Sequence, residues 1–262
     1  MLLNRLLIKA VAPTPKIEKY KRYLFIAPHP DDIEIAVGGT VARLAREGKE
    51  VYFLVCTDGR FGTEDENVSP ESLVAARREE QLASARILGV KDVVFLNYED
   101  GGMYDELELR KDIARTIARI KPEVVVCPDH KLYSECHPDH LAVGENASKA
   151  YFMCSNVNMM KSIGSDEIAK PDVLAFYFTG KPNRYVKITK KDFEKNKQAY
   201  ACFVSQCPPP DNGKSLMLYM RLKIRLNGMR SGHIRADAFR TMHNMHIHCC
   251  AEAEDTAAKR PL

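Results

Sequence analysis

The feature that most constrains the fold of this 262-residue chain is an alternation. Through roughly its first 150 residues, short apolar runs of strand length take turns with longer stretches of helix length. Tyr23 to Pro28 (YLFIAP), Val51 to Cys56, Val93 to Leu96 and Val124 to Cys127 are continuous apolar runs, the pattern of strands buried on both faces. Between them lie Ile33 to Glu47, with Gly48 placed as a C-cap, and a helix that starts at Ser69-Pro70 and stops at Gly89. Asp105 to Ile120 and a stretch from about Pro138 to Phe152 complete the set. Gly38 and Gly39 inside the first helix read as close packing of helix on sheet. Strand–helix repetition of this kind predicts an α/β fold: a parallel sheet with right-handed crossovers and helices on both faces.

The second half is less regular. Val173 to Thr179 and Tyr185 to Thr189 read as strands, and Lys191 to Phe203 and Leu216 to Leu226 as helices. Pro208-Pro209-Pro210 reads as a stiff loop, and the residues from Ala251 as a frayed tail. No repeat and no low-complexity linker divides the chain. The expectation is one domain over 1–262, with a core at about 22–240, an N-terminal extension at 1–21 and a C-terminal tail at 241–262.

Composition excludes several classes. Hydrophobic residues at 45% and charged residues at 28% are ordinary for a soluble globular protein. A formal charge of +4, with no basic cluster interleaved with aromatics, gives no reason to expect nucleic acid as a partner. Lys187, Lys190, Lys191, Lys195 and Lys197 read as a solvated face. The eight cysteines form no CxxC pair, and Cys56 and Cys127 fall in apolar runs, so free thiols in a reducing compartment are expected. The first sixteen residues are broken by Asn4, Arg5 and Lys9. They make a poor signal peptide and are too short and charged to span a bilayer, so the expectation is a cytoplasmic protein that packs this segment on its domain, with a weak amphipathic contact through Leu2, Leu3, Leu6 and Leu7 as the alternative.

Chemistry concentrates in two four-residue motifs, His29-Pro30-Asp31-Asp32 and His137-Pro138-Asp139-His140. Each carries a histidine, an aspartate and a proline that fixes φ. In the strand–helix reading both follow a strand, at the rim where open α/β sheets place their sites. Thr57-Asp58-Gly59 and Tyr98-Glu99-Asp100-Gly101 reach the same rim. His29 and Asp32, three residues apart, can reach one ion, with His140 as a third ligand and a position left for water. Asp31 cannot readily point at the same ion from the adjacent position and is free to act as a base. Glu34 either supports a ligand or begins the helix, where negative charge is favoured. These are the parts of a metal-dependent hydrolase.

The motif pair resembles the PIG-L/LmbE-like family of zinc-dependent deacetylases, which remove acetyl groups from N-acetylglucosamine-containing small molecules and glycolipids. The anchors are Ala27-Pro28-His29-Pro30-Asp31-Asp32 and His137-Pro138-Asp139-His140, supported by Arg77-Arg78-Glu79-Glu80, Leu88-Gly89 and Asn97-Tyr98-Glu99-Asp100-Gly101. Ser205-Gln206 and Arg235 to Phe239 match its C-terminal pattern more loosely. The resemblance implies a three-layer αβα, Rossmann-like domain with a mostly parallel sheet, and zinc on His29, Asp32 and His140, with Fe2+ as the alternative metal. It also implies Asp31 as general base, His137 stabilising the oxyanion or protonating the leaving amine, and Asp139 orienting His137. Arg77 and Asp100 would contact the sugar or its aglycone. A salt bridge to Glu79 or Glu80 is the plainer reading of Arg77, and a turn before Gly101-Gly102 that of Asp100. The implied partner is a small N-acetylated amino sugar, with a homo-oligomer left open. The rivals are a non-haem iron oxygenase built on His29, Asp31 and His140, an amidase for another acyl or thiol conjugate, and a non-catalytic carbohydrate-binding protein on the same fold. Cys136 beside the second motif is either an extra ligand or an inert thiol. The group His243, His246, His248, Cys249 and Cys250 is either a second metal site or a polar tail.

Overall fold

A computed structural model describes residues 12–248. Seven strands form one sheet in the order β3-β2-β1-β4-β5-β7-β6. They are β1 (Arg22–Ala27), β2 (Glu50–Thr57), β3 (Asp92–Tyr98), β4 (Val124–Pro128), β5 (Val173–Tyr177), β6 (Arg184–Lys187) and β7 (Ala236–His243). The helices are α1 (Asp32–Arg46), α2 (Pro70–Leu88), α3 (Glu106–Ile120), α4 (Pro138–Met153), α5 (Val157–Ser162), α6 (Lys190–Tyr200), α7 (Lys214–Ser231) and α8 (Asn244–Ile247).

The five strands β1 to β5 are parallel, with Phe25 of β1 set between Phe53 of β2 and Val126 of β4. Their continuous apolar sequences are explained by burial on both faces. Tyr23, Phe25 and Ala27 join one core with α1, α2 and α6, whereas Leu24 and Ile26 join another with α3 and α4. A third cluster, including Phe193, Phe203, Met220 and Ile224, binds α7 to α6. The architecture is the expected three-layer αβα arrangement with a mostly parallel sheet.

Helix ends follow local capping chemistry. Ser69 accepts the Ser72 amide at the start of α2, and Asp105 accepts the Leu107 and Glu108 amides at the start of α3.

Four details differ from the sequence expectations. β7 runs antiparallel to both β5 and β6, and it continues to His243, beyond a core drawn to about 240. Its sequence ADAFRTMH places a buried aspartate where an apolar residue would mark a strand. The six-residue α5 is too short to show helical periodicity, and α7 exceeds its expected span at both ends. Part of the expected N-terminal extension is packed: Ile17 is buried, and the carbonyls of Thr14 and Pro15 accept hydrogen bonds from Arg184 of β6. Among the described residues no helix is long and apolar enough to cross a membrane.

The strand order places the site. From β1 the chain runs outward through β2 and β3, then returns to lay β4 on the other side of β1. The loops after β1 and β4 therefore diverge to opposite sides of the sheet and leave a crevice between them. The first of the two motifs lies in one of these loops and the second in the other.

Candidate active site

The turn after β1 is bent hard. Asp31 has φ 103° and ψ −26°, a backbone state that costs a non-glycine residue energy. Two α2 side chains hold it there: Gln81 Oε1 accepts the Asp31 amide at 3.1 Å, and Arg77 Nη2 donates to the Pro30 carbonyl at 2.6 Å. The bend aims neighbouring aspartates in different directions. Asp32 turns back to its own loop, where Oδ2 accepts the His29 amide at 2.9 Å.

Around Asp32 the two motifs meet. Its Oδ2 lies 3.3 Å from His29 Nδ1 and its Oδ1 lies 3.3 Å from His140 Nε2. One donor atom from each of His29, Asp32 and His140 lies within 4.8 Å of the others. Each imidazole also has its far nitrogen on a carboxylate. His29 Nε2 sits 3.0 Å from Asp100 Oδ1 and 3.1 Å from Asp139 Oδ2, and His140 Nδ1 sits 3.1 Å from Glu135 Oε2. Outer carboxylates of this kind fix the tautomer and orientation that a metal-ligating histidine needs. Two imidazoles and one carboxylate, brought together and backed in this way, fit a divalent cation such as zinc or iron(II).

A second close group, His29, Asp100, His137 and Asp139, has its carboxylates committed elsewhere. Asp139 accepts the Gly101 and Gly102 amides, both at 2.8 Å, and Asp100 accepts the Phe61 amide at 3.3 Å. Gly101 and Gly102 have φ of 90° and 78°, a conformation that glycine adopts freely.

The electrostatics separate the two neighbouring aspartates. Burial opposes ionisation of Asp32, but His140 and His29 outweigh it and hold its carboxyl well below the usual range. Burial pushes the Asp31 carboxyl well above that range, against the pull of Arg77, whose Nη2 is 3.3 Å from Asp31 Oδ2. Burial also lowers the His137 pKa, helped by the neighbouring His29 and His140 rings. The His137 side chain is 45% exposed, its ring centroid 4.6 Å from that of His29. Its Nδ1 accepts the Asp139 amide at 3.3 Å as the N-cap of α4.

Several expected roles are placed differently. Arg77 is only 3% exposed and does not face an open rim; it bonds Gly59 O, Pro30 O and Asp31, and makes no pair with Glu79 or Glu80. Glu80 instead accepts the Ser205 amide and hydroxyl. Asp100 is buried against His29. Asp139 hydrogen-bonds His29, while its Oδ2 lies 3.7 Å from His137 Nδ1, beyond hydrogen-bond range. Glu34 is fully buried and accepts hydrogen bonds from Gln81 and Ser84, so it anchors α1 to α2. Cys136 is exposed and belongs to neither metal-capable group. His243 and His246 cap α8, with the His243 amide donating to His246 Nδ1 at 2.9 Å, and among the described residues they join no such group. Cys249 and Cys250 lie outside the described residues.

Gln81 and Glu135 were missed from sequence. Gln81 follows Arg77 by four residues on one helix face, a spacing that pairs them but does not say what they meet. Glu135 has only its nearness to His140 as a signal. Beyond Glu135 and His140 a cleft of about 860 Å³ opens, walled by Leu132, Phe178 and the α7 residues Tyr219, Leu222 and Leu226.

Comparison with known proteins gives concordant matches. The sequence profile of the PIG-L family, GlcNAc-PI de-N-acetylase, matches residues 24–151. A diacetylchitobiose deacetylase of Thermococcus kodakarensis is 36% identical over 235 residues, covering 88% of this chain and 86% of the relative. A probable N-acetyl-alpha-D-glucosaminyl L-malate deacetylase of Bacillus anthracis is 31% identical over 137 residues, 50% of this chain and 59% of that one. Among solved structures, an N,N'-diacetylchitobiose deacetylase from Pyrococcus horikoshii, complexed with an inhibitor, superposes with a TM-score of 0.82 at 34% identity, covering 88% of this chain and 87% of that one.

Proposed function

We infer that this chain, which belongs to the PIG-L family of de-N-acetylases, is a metal-dependent hydrolase that removes the N-acetyl group from an N-acetylglucosamine-containing small molecule or glycoconjugate. The products are acetate and a free amine. The observation that carries this reading is the meeting of His29, Asp32 and His140 with the Asp31 carboxyl one residue from the set. The relatives' activities on N-acetylated glucosamine derivatives support the substrate class. We assign zinc to the three ligands. Held there, zinc would supply a water whose pKa is lowered towards about 7 and a Lewis acid for the amide carbonyl.

The residues around that position divide the proton work. Asp31 takes a proton from the attacking water. Its raised pKa brings it nearer neutral pH, where a general base is most effective. Because His137 Nδ1 accepts the Asp139 amide, its proton sits on Nε2, and the lowered pKa keeps the ring neutral. A neutral Nε2–H can donate a hydrogen bond to the developing oxyanion. The proton needed by the leaving nitrogen then returns from Asp31. Asp100 and Asp139 hold His29, Glu135 holds His140, and Arg77 holds the Asp31 turn. In this assignment Arg77 and Asp100 act on the substrate through Asp31 and His29. One domain containing both motifs is sufficient for all of these roles.

The test is release of free amine from a panel of N-acetylglucosaminides by purified protein, with a chelator and after zinc is restored. Chelator-sensitive release that returns with zinc is the expected result. Absence of release from every member, with stoichiometric metal bound, would overturn the hydrolase reading in favour of a binding role.

A further inference from the structure

Helix α1 is interrupted one turn after Asp32. Val37 has φ −148° and ψ 19°, outside the helical region. In a continuous helix the carbonyls of residues 34–36 face the amides of residues 38–40. Here the Thr40 amide donates to Asp237 Oδ2 of β7 at 2.7 Å, and the Thr40 hydroxyl donates to the same oxygen at 2.8 Å. The carbonyls of this stretch accept from side chains. Asn196 Nδ2 of α6 donates to Glu34 O at 3.0 Å, and Lys223 Nζ of α7 donates to Ile35 O and, at 2.6 Å, to Ala36 O. The paired glycines permit this approach: a Cβ on Gly38 would stand 2.0 Å from Asn196 Oδ1, and one on Gly39 would stand 3.2 Å from Asp237 Oδ2.

We propose that Lys223 is a positioning residue for the metal-ligand turn, fixing the segment Asp32 to Ala36 from below so that Asp32 stays between His29 and His140. The proposal rests on the reading of those three residues as metal ligands. It gives a role to a half-buried lysine on the wall of the cleft, whose partial desolvation lowers its pKa to about 8. Only a long side chain with several donors reaches two adjacent carbonyls from a neighbouring helix. It also gives a role to Asp237, within the Arg235 to Phe239 stretch that the two motifs leave unexplained. Asp237 takes the Thr40 amide, and so holds the far side of the break while Lys223 holds the near side.

The experiment compares Lys223→Met, Lys223→Gln and Lys223→Arg with the unaltered protein. Zinc affinity is read by competition with a chromophoric chelator, and ligand geometry by the visible spectrum of the cobalt-substituted protein. Hydrogen exchange over residues 32–37 is followed in the metal-free form. Lys223→Met should weaken zinc binding about 10- to 100-fold, the usual effect of losing support behind a ligand. Exchange should quicken over 32–37 and not in α3. Lys223→Arg should regain most of the affinity, and Lys223→Gln less. Unchanged zinc affinity and cobalt spectrum in folded Lys223→Met would overturn the proposal. If that variant does not fold, unchanged affinity in Lys223→Gln overturns it equally. His140→Ala separates the two ideas: undiminished stoichiometric zinc in that variant sinks the ligand assignment, and the positioning role with it.

Discussion

Asp31 and Asp32 are adjacent in sequence, both buried, and opposite in proton affinity. Two imidazoles face Asp32 and keep it ionised, whereas burial dominates at Asp31 and is only partly countered by Arg77. Environments that push paired groups apart mark an acid–base assignment. Asp31→Asn is therefore expected to retain stoichiometric zinc by metal analysis while kcat falls about 10²- to 10⁴-fold. Loss of the metal in that variant would make Asp31 a ligand. Arg77 gives a pH test. Asp31 serves as a base only when ionised, so kcat/KM should fall as pH drops through its pKa. Removing the guanidinium takes away the larger of the two charges that oppose burial, leaving only His29, and raises that pKa further. Arg77→Met should move the acid limb of the kcat/KM profile to higher pH, by about one unit. A limb that stays in place, or moves down, would detach Arg77 from the base.

At the scale of elements, α1 and α2 act as one support for the turn between β1 and α1. Gln81 bonds both the Asp31 amide and the Glu34 carboxylate, and Ser84 adds a second bond to Glu34. Burial raises the Glu34 pKa to about 6, from an ordinary 4.5. Ionising Glu34 therefore costs the folded state stability. The cost is absent below about pH 4.5, grows between the ordinary and the raised pKa, and is constant above. Glu34→Gln keeps an oxygen for Gln81 and Ser84 and removes the charge. It should stabilise the protein at pH 7.5 by on the order of 2 kcal/mol, with the gain vanishing near pH 4. Thermal melts at the two pH values check this; equal shifts at both would show that the charge is not the cause. Elements with their own signals were legible in sequence: Ser69, Pro70 and Gly89 bound α2, and the alternation of strand and helix located β1 to β4. β7 carried no such signal, because Asp237 is buried for the sake of Thr40 in a different element.

For the whole molecule, β7 is the strand that closes the design. It covers the edge of β5, pairs β6, and brings Asp237 under α1. A chain ending at Arg235 would leave β5 and β6 unpaired on their β7 sides and expose apolar residues of the sheet. It should express as insoluble protein or melt without cooperativity. A soluble, cooperatively melting product that binds zinc would show that the parallel half stands alone. The two motif-bearing loops come together at the crevice beside β1 because the strand order reverses there.

The sequence by itself determined the layered α/β class, the positions of the first four strands and helices, and the two motifs that supply His29, Asp32 and His140. Those features are local: a run of apolar residues, a cap, a proline-stiffened turn, three residues of spacing. Only the tertiary structure decided what surrounds them. It turned Arg77 inward to the Asp31 turn, gave Asp100 and Asp139 to His29, paired Glu135 with His140, and set Lys223 beneath Ile35 and Ala36. Most of these partners are separated from what they support by 47 to 187 residues, and their identity depends on which side chain burial leaves facing an unmet polar atom. Glu135, only five residues from His140, shows that even a near partner depends on how the loop folds back.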